Sequence, residues 1–209
     1  AAQQALESAA IDAALGYVHT AATLIGTSCW ERCPELAREL GFVHAQCLLL
    51  EGEFEPAGRV IDHLLNHVHG VVERAAIYVL KVELLVLACR YEDAVATAGE
   101  GLRLFGIHIP AQVTDMDVEQ SYGYLLEMLG SRDIASLRDL PEMRDVTFEA
   151  AMGMLSSMIA SASFIDDDLL FVLTCEMVQL SLEYGICAAS THGLAWFGVA
   201  LAHQYKAYE

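Results

Sequence analysis

The sequence predicts an all-α protein, an α-α superhelix made of stacked antiparallel helix pairs. Apolar residues recur at helical spacing over most of the chain, and strand-like alternation never extends beyond a few residues. A short phrase also occurs twice, at an offset of 37 residues. Repeats of this size are typical of helix pairs that bury their apolar faces only against neighbouring pairs.

The repeated phrase occupies Leu50–Ala57 and Leu87–Ala94, where it reads LEGEFEPA and LACRYEDA. In each copy an apolar helix reaches a tight turn, and then an aromatic residue, two further residues and an alanine open a second helix. The aromatic residues and the alanines of the two copies align at the same offset. The residues that we expect to define the repeat are Gly52, Phe54, Ala57, Tyr91 and Ala94.

The N-terminal segment predicts one helix over about Ala5–Leu24, which residues 26–28 (Gly-Thr-Ser) end. Ala14 lies 43 residues before Ala57, so we expect this helix to be the second member of a pair whose first helix is missing. Pro34 suits the first turn of the next helix, because its missing N–H group costs nothing there.

The helices around the repeated phrase alternate in character. Some carry apolar residues on one face only, whereas Ala75–Ala88 is apolar nearly all round, with Lys81 and Glu83 as its only charges. This alternation of enclosed and one-sided helices is typical of a layered solenoid. The helices expected in this region cover residues 34–50, 57–68, 75–88 and 91–105.

The segment Ile107–Pro110 interrupts the pattern, and helix-start signals then resume. Thr114 followed by Asp117 resembles a capping pair. Asp145 and the acidic run 166–168 precede apolar segments, and negative charge is favoured at a helix N-terminus. The helices expected here cover about 115–129, 134–137, 145–159, 166–184 and 188–205.

We expect a single helical-repeat domain over residues 1–209. It divides into regular hairpins over about 5–106, an irregular connection over about 107–145 and further helix pairs over about 146–209. No linker rich in proline, glycine or serine interrupts it. Because the chain begins without methionine and ends inside an expected helix, we interpret it as a piece of a larger protein.

The chain is strongly acidic, with a net charge of −18 and only Lys81 and Lys206 as lysines. Nucleic acids bind clustered cations, and an anionic membrane surface repels such a chain, so neither is an expected partner. The six cysteines lie mainly in helical segments and indicate reduced thiols rather than a disulfide framework. With no secretory signal in the sequence, we expect a cytoplasmic protein.

We predict no catalytic residue and no cofactor. A phosphate-binding loop needs a glycine-lysine pair, and a nucleophile elbow needs a G-x-S-x-G turn; the sequence contains neither. Two sets of metal-ligand candidates are weak, because core cysteines and a solvated helix face explain them with fewer assumptions. These sets are Cys29, Cys33, His44 and Cys47, and the histidines His63, His67 and His69.

Several phrases extend a resemblance over most of the chain. They resemble the tetratricopeptide-like helical region that follows an AAA-type ATPase module in large bacterial signalling proteins. Those proteins are sensor histidine kinases or serine/threonine kinases that also contain a GAF domain. The residues from Ile186 to Ala188 depart from the polar turn of that family. The matching phrases are Trp30–Arg32, Glu35–Ala37, Leu50–Ala57, Glu73–Ala75, Arg90–Ala94, Gly101–Pro110, Asp139–Met143 and Met177–Gly185.

The resemblance implies a non-catalytic scaffold of a two-component or kinase signalling system. It would couple ATPase and sensor or kinase modules by binding a protein partner or other domains of its own chain. An alternative is a helical domain that senses a small-molecule effector, with Gly106–Asp145 and a methionine-bearing helix lining the pocket. Packing in the core is the simpler explanation of those methionines. They are Met152, Met154 and Met158. A third hypothesis, an enzyme, lacks any placed nucleophile or base. Apolar faces left open at the ends predict a weak homodimer.

Overall fold

The computed structural model describes residues 1–26, 29–110, 112–132 and 134–205. Within these ranges the protein is all-α, as predicted, and no β-strand is present; a single parallel bridge joins Glu142 and Ile186. Thr27 and Ser28, which we expected to help end the first helix, lie outside the described residues, as does the end of the domain at 206–209.

Eleven α-helices and two 3-10 segments make up the described part of the chain. The 3-10 segments are Arg103–Phe105 and Ile134–Asp139. The helices are α1 (Ala2–Glu7), α2 (Ile11–Ile25), α3 (Cys29–Arg32), α4 (Pro34–Leu50), α5 (Phe54–His67), α6 (Val71–Leu87), α7 (Tyr91–Leu102), α8 (Asp115–Leu129), α9 (Val146–Ile165), α10 (Asp167–Tyr184) and α11 (Ala188–Tyr205).

Acidic side chains fix the starts of three helices in the second half. The Thr114 N–H donates to the Asp117 carboxylate at 2.8 Å, and the Asp117 N–H donates to the Thr114 hydroxyl, which completes the predicted cap of α8. Asp145 accepts a hydrogen bond from the first turn of α9 at 2.8 Å. Asp166 does the same for α10 at 2.9 Å. Each bond satisfies a helix N–H group that has no partner within the helix.

The first predicted helix is wrong in one respect. The structure divides it into α1 and α2, with a break at Ser8–Ala10. Apolar spacing continues across this break, which is why the sequence pattern did not reveal it. The pair that we expected to lack its first helix therefore has one, a helix of six residues.

The same turn joins the two helices in three successive pairs. Ala9, Gly52 and Cys89 occupy its left-handed position, with φ of 55°, 79° and 57°. The following N–H group donates to a carbonyl five residues earlier, a Schellman motif that satisfies a carbonyl at the helix end. These bonds, each 2.8 Å, are Ala10 to Ala5, Glu53 to Leu48 and Arg90 to Leu85. The offset of 37 residues is thus a repeat of backbone hydrogen bonds as well as of side chains.

Successive helices pack against one another along the chain. α2 packs on α4, α4 on α5, α5 on α6 and α6 on α7, while α9 packs on α6, α7 and α10. α11 contacts both α9 and α10. The main apolar core joins α4, α5, α6, α7, α9 and α10. A second cluster joins α8 to α10 and α11, and a smaller one joins α2 to α4. α6 has neighbours on several sides, as its nearly uniform apolar composition predicts.

α8 stands outside this succession, because it packs on α10 rather than on α7 or α9. It buries Val118 and Leu125 there. The Gln179 side chain of α10 donates to the Ser121 carbonyl at 3.1 Å. The connection expected over 107–145 therefore carries one long helix that covers α10.

Gly185, between α10 and α11, lies against the connection that precedes α9. The Ile186 N–H donates to the Pro141 carbonyl and the Met143 N–H to the Ile186 carbonyl, both at 2.8 Å. Gly185 has φ of 102°, and a Cβ atom at this position would collide with the Pro141 carbonyl oxygen. Only glycine meets both the backbone angle and the close approach.

α9 is the one helix in the described ranges that is long and apolar enough to cross a membrane. Within the fold, however, it contacts α6, α7, α10 and α11. Its methionines Met152, Met154 and Met158 are fully buried in the main core. They fill the protein interior, so the alternative of a methionine-lined pocket does not apply to these side chains.

Candidate functional site

A cavity of about 600 Å³ lies between α2, α4 and α5, and we call it the first groove. α3 contributes Cys29 and Trp30 to its edge. Volumes of this size are typical of small-molecule pockets. The apolar side chains along its walls include Val18, Ala22, Leu40, Leu48, Val60 and Leu64.

Small residues and a proline shape the first groove. A Cβ atom at Gly41 would lie only 2.8 Å from Leu64 Cδ2, so glycine allows α4 and α5 to approach closely at this point. Ala37, also in the lining, adds little volume. Pro56 lies in the first turn of α5, where a missing N–H group removes no helical hydrogen bond. The space is therefore built into the sequence of the two helices.

An aromatic cluster attaches α3 to α5 beside the groove. The Trp30 indole N–H donates to His63 Nε2 at 2.9 Å, and the Trp30 ring stacks on His67 with centroids 4.7 Å apart. The His63 and His67 rings lie 4.2 Å apart. Because an indole nitrogen only donates, His63 Nε2 accepts and the ring is neutral. Partial burial, followed by the nearby His67, lowers the pKa of His63 and favours that state.

Two other nitrogen-bearing side chains that line the groove are available to hydrogen-bond a ligand. The structure gives neither the half-buried His44 ring nor the exposed Arg59 guanidinium a hydrogen bond or ion pair within the described residues. Burial, and then His19, lowers the pKa of His44, which favours a neutral ring. A neutral imidazole offers one donor and one acceptor, and a guanidinium offers a fork of donors.

A second groove of about 710 Å³ lies one repeat further along, between α5, α6 and α7. Four wall positions of α5 and two floor positions of α4 recur in it at the offset of 37 residues. The corresponding pairs are Pro56 and Asp93, Arg59 and Ala96, Val60 and Thr97, His63 and Glu100, His44 and Lys81, and Leu48 and Leu85.

The two grooves differ in chemistry although they share a position in the repeat. Lys81 pairs with Asp62 at 2.8 Å and Arg90 pairs with Asp93 at 2.7 Å in the second groove, which Glu55, Arg59 and Glu100 also line, so its surface is highly charged. The first groove has mainly apolar walls, and among the described residues no such ion pair lines it. The shared scaffold therefore presents two different surfaces.

The residues expected to define the repeat lie at its helix junctions. Gly52 forms the left-handed position of the turn, and Ala57 and Ala94 are fully buried in the main core. Phe54 begins α5 and lines the second groove, and Tyr91 begins α7 and stacks on Phe164 with centroids 4.9 Å apart. They position the helices that form the grooves.

The metal-ligand candidates are only partly brought together. His63 and His67 are neighbours, but Trp30 completes their cluster, while His69 lies in the connection after α5. Cys47 is buried between α2 and α4, in an apolar cluster. Within the described ranges, no three histidine, cysteine or acidic side chains are grouped to hold a metal ion.

One serine-histidine pair escaped the sequence analysis. The Ser156 hydroxyl lies 2.7 Å from His192 Nδ1, between α9 and α11, 36 residues apart in the chain. A nucleophilic serine also requires a group that orients the histidine and donors for the developing oxyanion. Among the described residues, neither an orienting group for His192 nor a set of oxyanion donors is present beside this pair. The pair is also exposed.

The sequence analysis also missed Trp30, His44 and Arg59 as parts of one cavity. Aligning groove positions across the repeat would have linked His44 to Lys81 and Arg59 to Ala96. Trp30 lies outside the repeat, so only the folded chain reveals its position. No family model, curated protein or solved structure matches this chain.

Proposed function

We propose that this chain is a non-catalytic, tetratricopeptide-like scaffold of a cytoplasmic bacterial signalling protein. In this role it binds a protein partner, or other domains of its own chain, and couples an ATPase module to sensor or kinase modules.

The recurrence of a groove at the same repeat position supports this function best. Helix pairs joined by the same Schellman turn stack on one another, and each new pair adds a groove beside the last. Such rows of grooves between rigid helices are the binding surfaces of helical solenoids. The walls differ from one groove to the next, so a partner segment is recognised at several positions at once.

Charge limits the kind of partner. The chain has a net charge of −18, so a basic segment is attracted and an acidic one is repelled. The signalling context comes only from the resemblance of the phrases around Leu50–Ala57, Gly101–Pro110 and Asp139–Met143 to the helical region of ATPase-kinase proteins. That resemblance is the reason for naming an ATPase and a sensor or kinase as the coupled modules.

Binding between this chain and the flanking segments of its parent protein tests the scaffold function. The chain is titrated calorimetrically with separately produced ATPase and kinase segments, first unmodified and then with Ala96→Arg. Ala96 is exposed in the second groove, so arginine fills the groove without entering the core. Ala160→Arg, at an exposed alanine of α9, is the matched control.

We expect at least one flanking segment to bind, and Ala96→Arg to weaken that binding about tenfold or more while Ala160→Arg has no effect. Binding should also weaken as salt is raised, because the chain is acidic. No binding by any flanking segment would contradict the scaffold function.

A second candidate function is the sensing of a small-molecule effector. The first groove favours it, because its volume of about 600 Å³ and largely apolar lining resemble a ligand pocket more than a flat protein contact. A thermal-shift screen with metabolites tests it. Stabilisation by a ligand, removed when the groove is filled by Val60→Phe, is the expected result; a screen without any stabilised sample contradicts it.

A further inference from the structure

The first groove combines apolar walls with one cationic side chain that has no ionic partner. Arg59 lines the cavity, and the structure gives its guanidinium no ion pair or hydrogen bond within the described residues. Within the described residues the arginines that form ion pairs are Arg90 and Arg138, so the Arg59 guanidinium stays available to a ligand. A guanidinium binds a carboxylate through two parallel hydrogen bonds.

His44 adds a second polar group inside the same cavity. Its ring is half buried and has no hydrogen bond within the described residues. A half-buried polar ring gains free energy when a ligand satisfies it. The rest of the lining is predominantly aliphatic, so it suits an apolar body better than a sugar or a phosphate.

The second groove has different side chains at the positions equivalent to Arg59 and His44. Ala96 stands at the position of Arg59, and Lys81 stands at the position of His44 but is paired with Asp62. Arg59 also borders the second groove, but there it lies among the carboxylates of Glu55, Asp62 and Asp93. A guanidinium beside apolar walls therefore belongs to the first groove and not to the repeat in general.

We propose that the first groove binds an apolar monocarboxylate. Its hydrocarbon body lies against Val60, Leu64 and Leu40, its carboxylate pairs with Arg59, and His44 supplies a further hydrogen bond. This inference names the ligand class for the effector-sensing candidate and rests on that function rather than on the scaffold.

The experiment compares three probes that differ only in their head group: decanoate, 1-decanol and decylamine. Each is titrated calorimetrically into the chain below its aggregation concentration. The net charge of −18 favours the ammonium compound over the carboxylate. Preferential binding of decanoate therefore reports the local guanidinium, because the overall field acts in the opposite direction.

Two pairs of variants locate the binding. Arg59→Gln removes the cation, and Arg103→Gln removes an exposed arginine outside the groove as its control. Val60→Phe fills the cavity, and Thr97→Phe places the same side chain at the equivalent position of the second groove. Circular dichroism of each variant checks that its helices remain.

We expect decanoate to bind more tightly than either control probe. Arg59→Gln should weaken decanoate binding about tenfold and leave decanol binding unchanged, because only the charged hydrogen bonds are lost. Val60→Phe should abolish the binding of every probe, while Arg103→Gln and Thr97→Phe should have no effect.

Other outcomes separate this inference from the functions on which it does or does not depend. Equal binding of decanoate and decanol, abolished by Val60→Phe, overturns the carboxylate preference but supports an effector cavity. Binding that is insensitive to Val60→Phe overturns the site. Failure of all three probes overturns the monocarboxylate site, and the metabolite screen and the binding of flanking segments then decide separately between effector sensing and the scaffold.

Discussion

At the scale of single residues, the two copies of the repeat differ in conformational strain at the left-handed position of the turn. Gly52 adopts φ of 79° without strain, whereas Cys89 adopts φ of 57° at the equivalent position. A side chain in this region crowds the following carbonyl group. The turn at Cys89 is therefore strained, whereas the turn at Gly52 is not. The hydrogen bond from the Arg90 N–H to the Leu85 carbonyl still forms.

Substitutions at these two positions should change the stability of the protein in opposite directions. Cys89→Gly is expected to raise the free energy of unfolding by about 1 kcal/mol, and Gly52→Ala to lower it by about the same amount. Nothing lies within 4 Å of a Cβ atom at Gly52, so the cost there is purely conformational. Urea denaturation of both variants measures the difference; a destabilised Cys89→Gly protein would contradict the explanation.

Glu176 is a second residue in an unfavourable environment, because its surroundings disfavour the ionised carboxylate. It lies mostly buried on α10, and burial, followed by the nearby Glu183, raises the pKa of its carboxyl group. Folding thus favours the protonated form. The stabilising contribution is present below the ordinary carboxyl value of 4.5 and is lost as the pH rises through the raised pKa.

We therefore expect Glu176→Gln to stabilise the protein at neutral pH, since the amide carries no charge to desolvate. Its advantage should shrink as the pH falls through the raised pKa, where the folded carboxyl group takes up its proton, and should be gone below about 4.5. Thermal melts at several pH values measure this. Glu119→Gln, at an exposed carboxylate of α8, controls for the loss of one charge. An advantage that is the same at every pH would rule out protonation as its cause.

At the scale of elements, caps and turns determine where helices stop, and packing determines which helices meet. α10 illustrates both. Asp166 caps its start, Gly185 ends it, and its apolar sides contact α8, α9 and α11. The contact of Gly185 with residues 141–143 also fixes the connection before α9 to the far end of α10.

Gly185→Ala should break this contact. The alanine would meet the Pro141 carbonyl and would lie 3.0 Å from the Met143 nitrogen, at a φ of 102° that side chains avoid. We expect a loss of at least about 2 kcal/mol in the free energy of unfolding.

Gly153→Ala is the matched control. Gly153 lies inside α9 with nothing within 4 Å of its Cβ position, so alanine should stabilise the helix by up to about 1 kcal/mol. Opposite signs for the two variants in denaturant titrations are the expected result, and equal effects would show that the close approach is unimportant.

At the scale of the whole molecule, stacking leaves apolar surface at the first pair. Leu24 is 81% exposed and Tyr17 is 50% exposed, beside a cavity of about 380 Å³ that also involves Leu36. A helical repeat buries such a face only when another pair covers it. The main core, by contrast, is shared by α4, α5, α6, α7, α9 and α10.

This surface predicts weak self-association of the isolated chain. Static light scattering should show an average mass that rises with concentration, and Leu24→Ser should reduce that rise. Met116→Ser removes an equally exposed apolar side chain from α8 and should leave it unchanged. A wild-type chain that stays monomeric throughout would contradict the prediction.

Much of the helical pattern was predictable because its signals are local. Thr114, Asp145 and Asp166 cap helices through hydrogen bonds to residues two or three positions away, and such bonds depend on nearby sequence alone. The break at Ser8–Ala10 was missed because alanine is a good helix former and its left-handed conformation at Ala9 has no sequence signature.

The sequence by itself determined the all-α class, most helix boundaries and the repeat of 37 residues, since helical periodicity and caps act between near neighbours. The tertiary structure alone decided that Trp30 meets His63, that α8 covers α10, and that His44 and Arg59 share a cavity. These meetings join residues from different helices. Their geometry depends on how the helices pack, which periodicity does not specify.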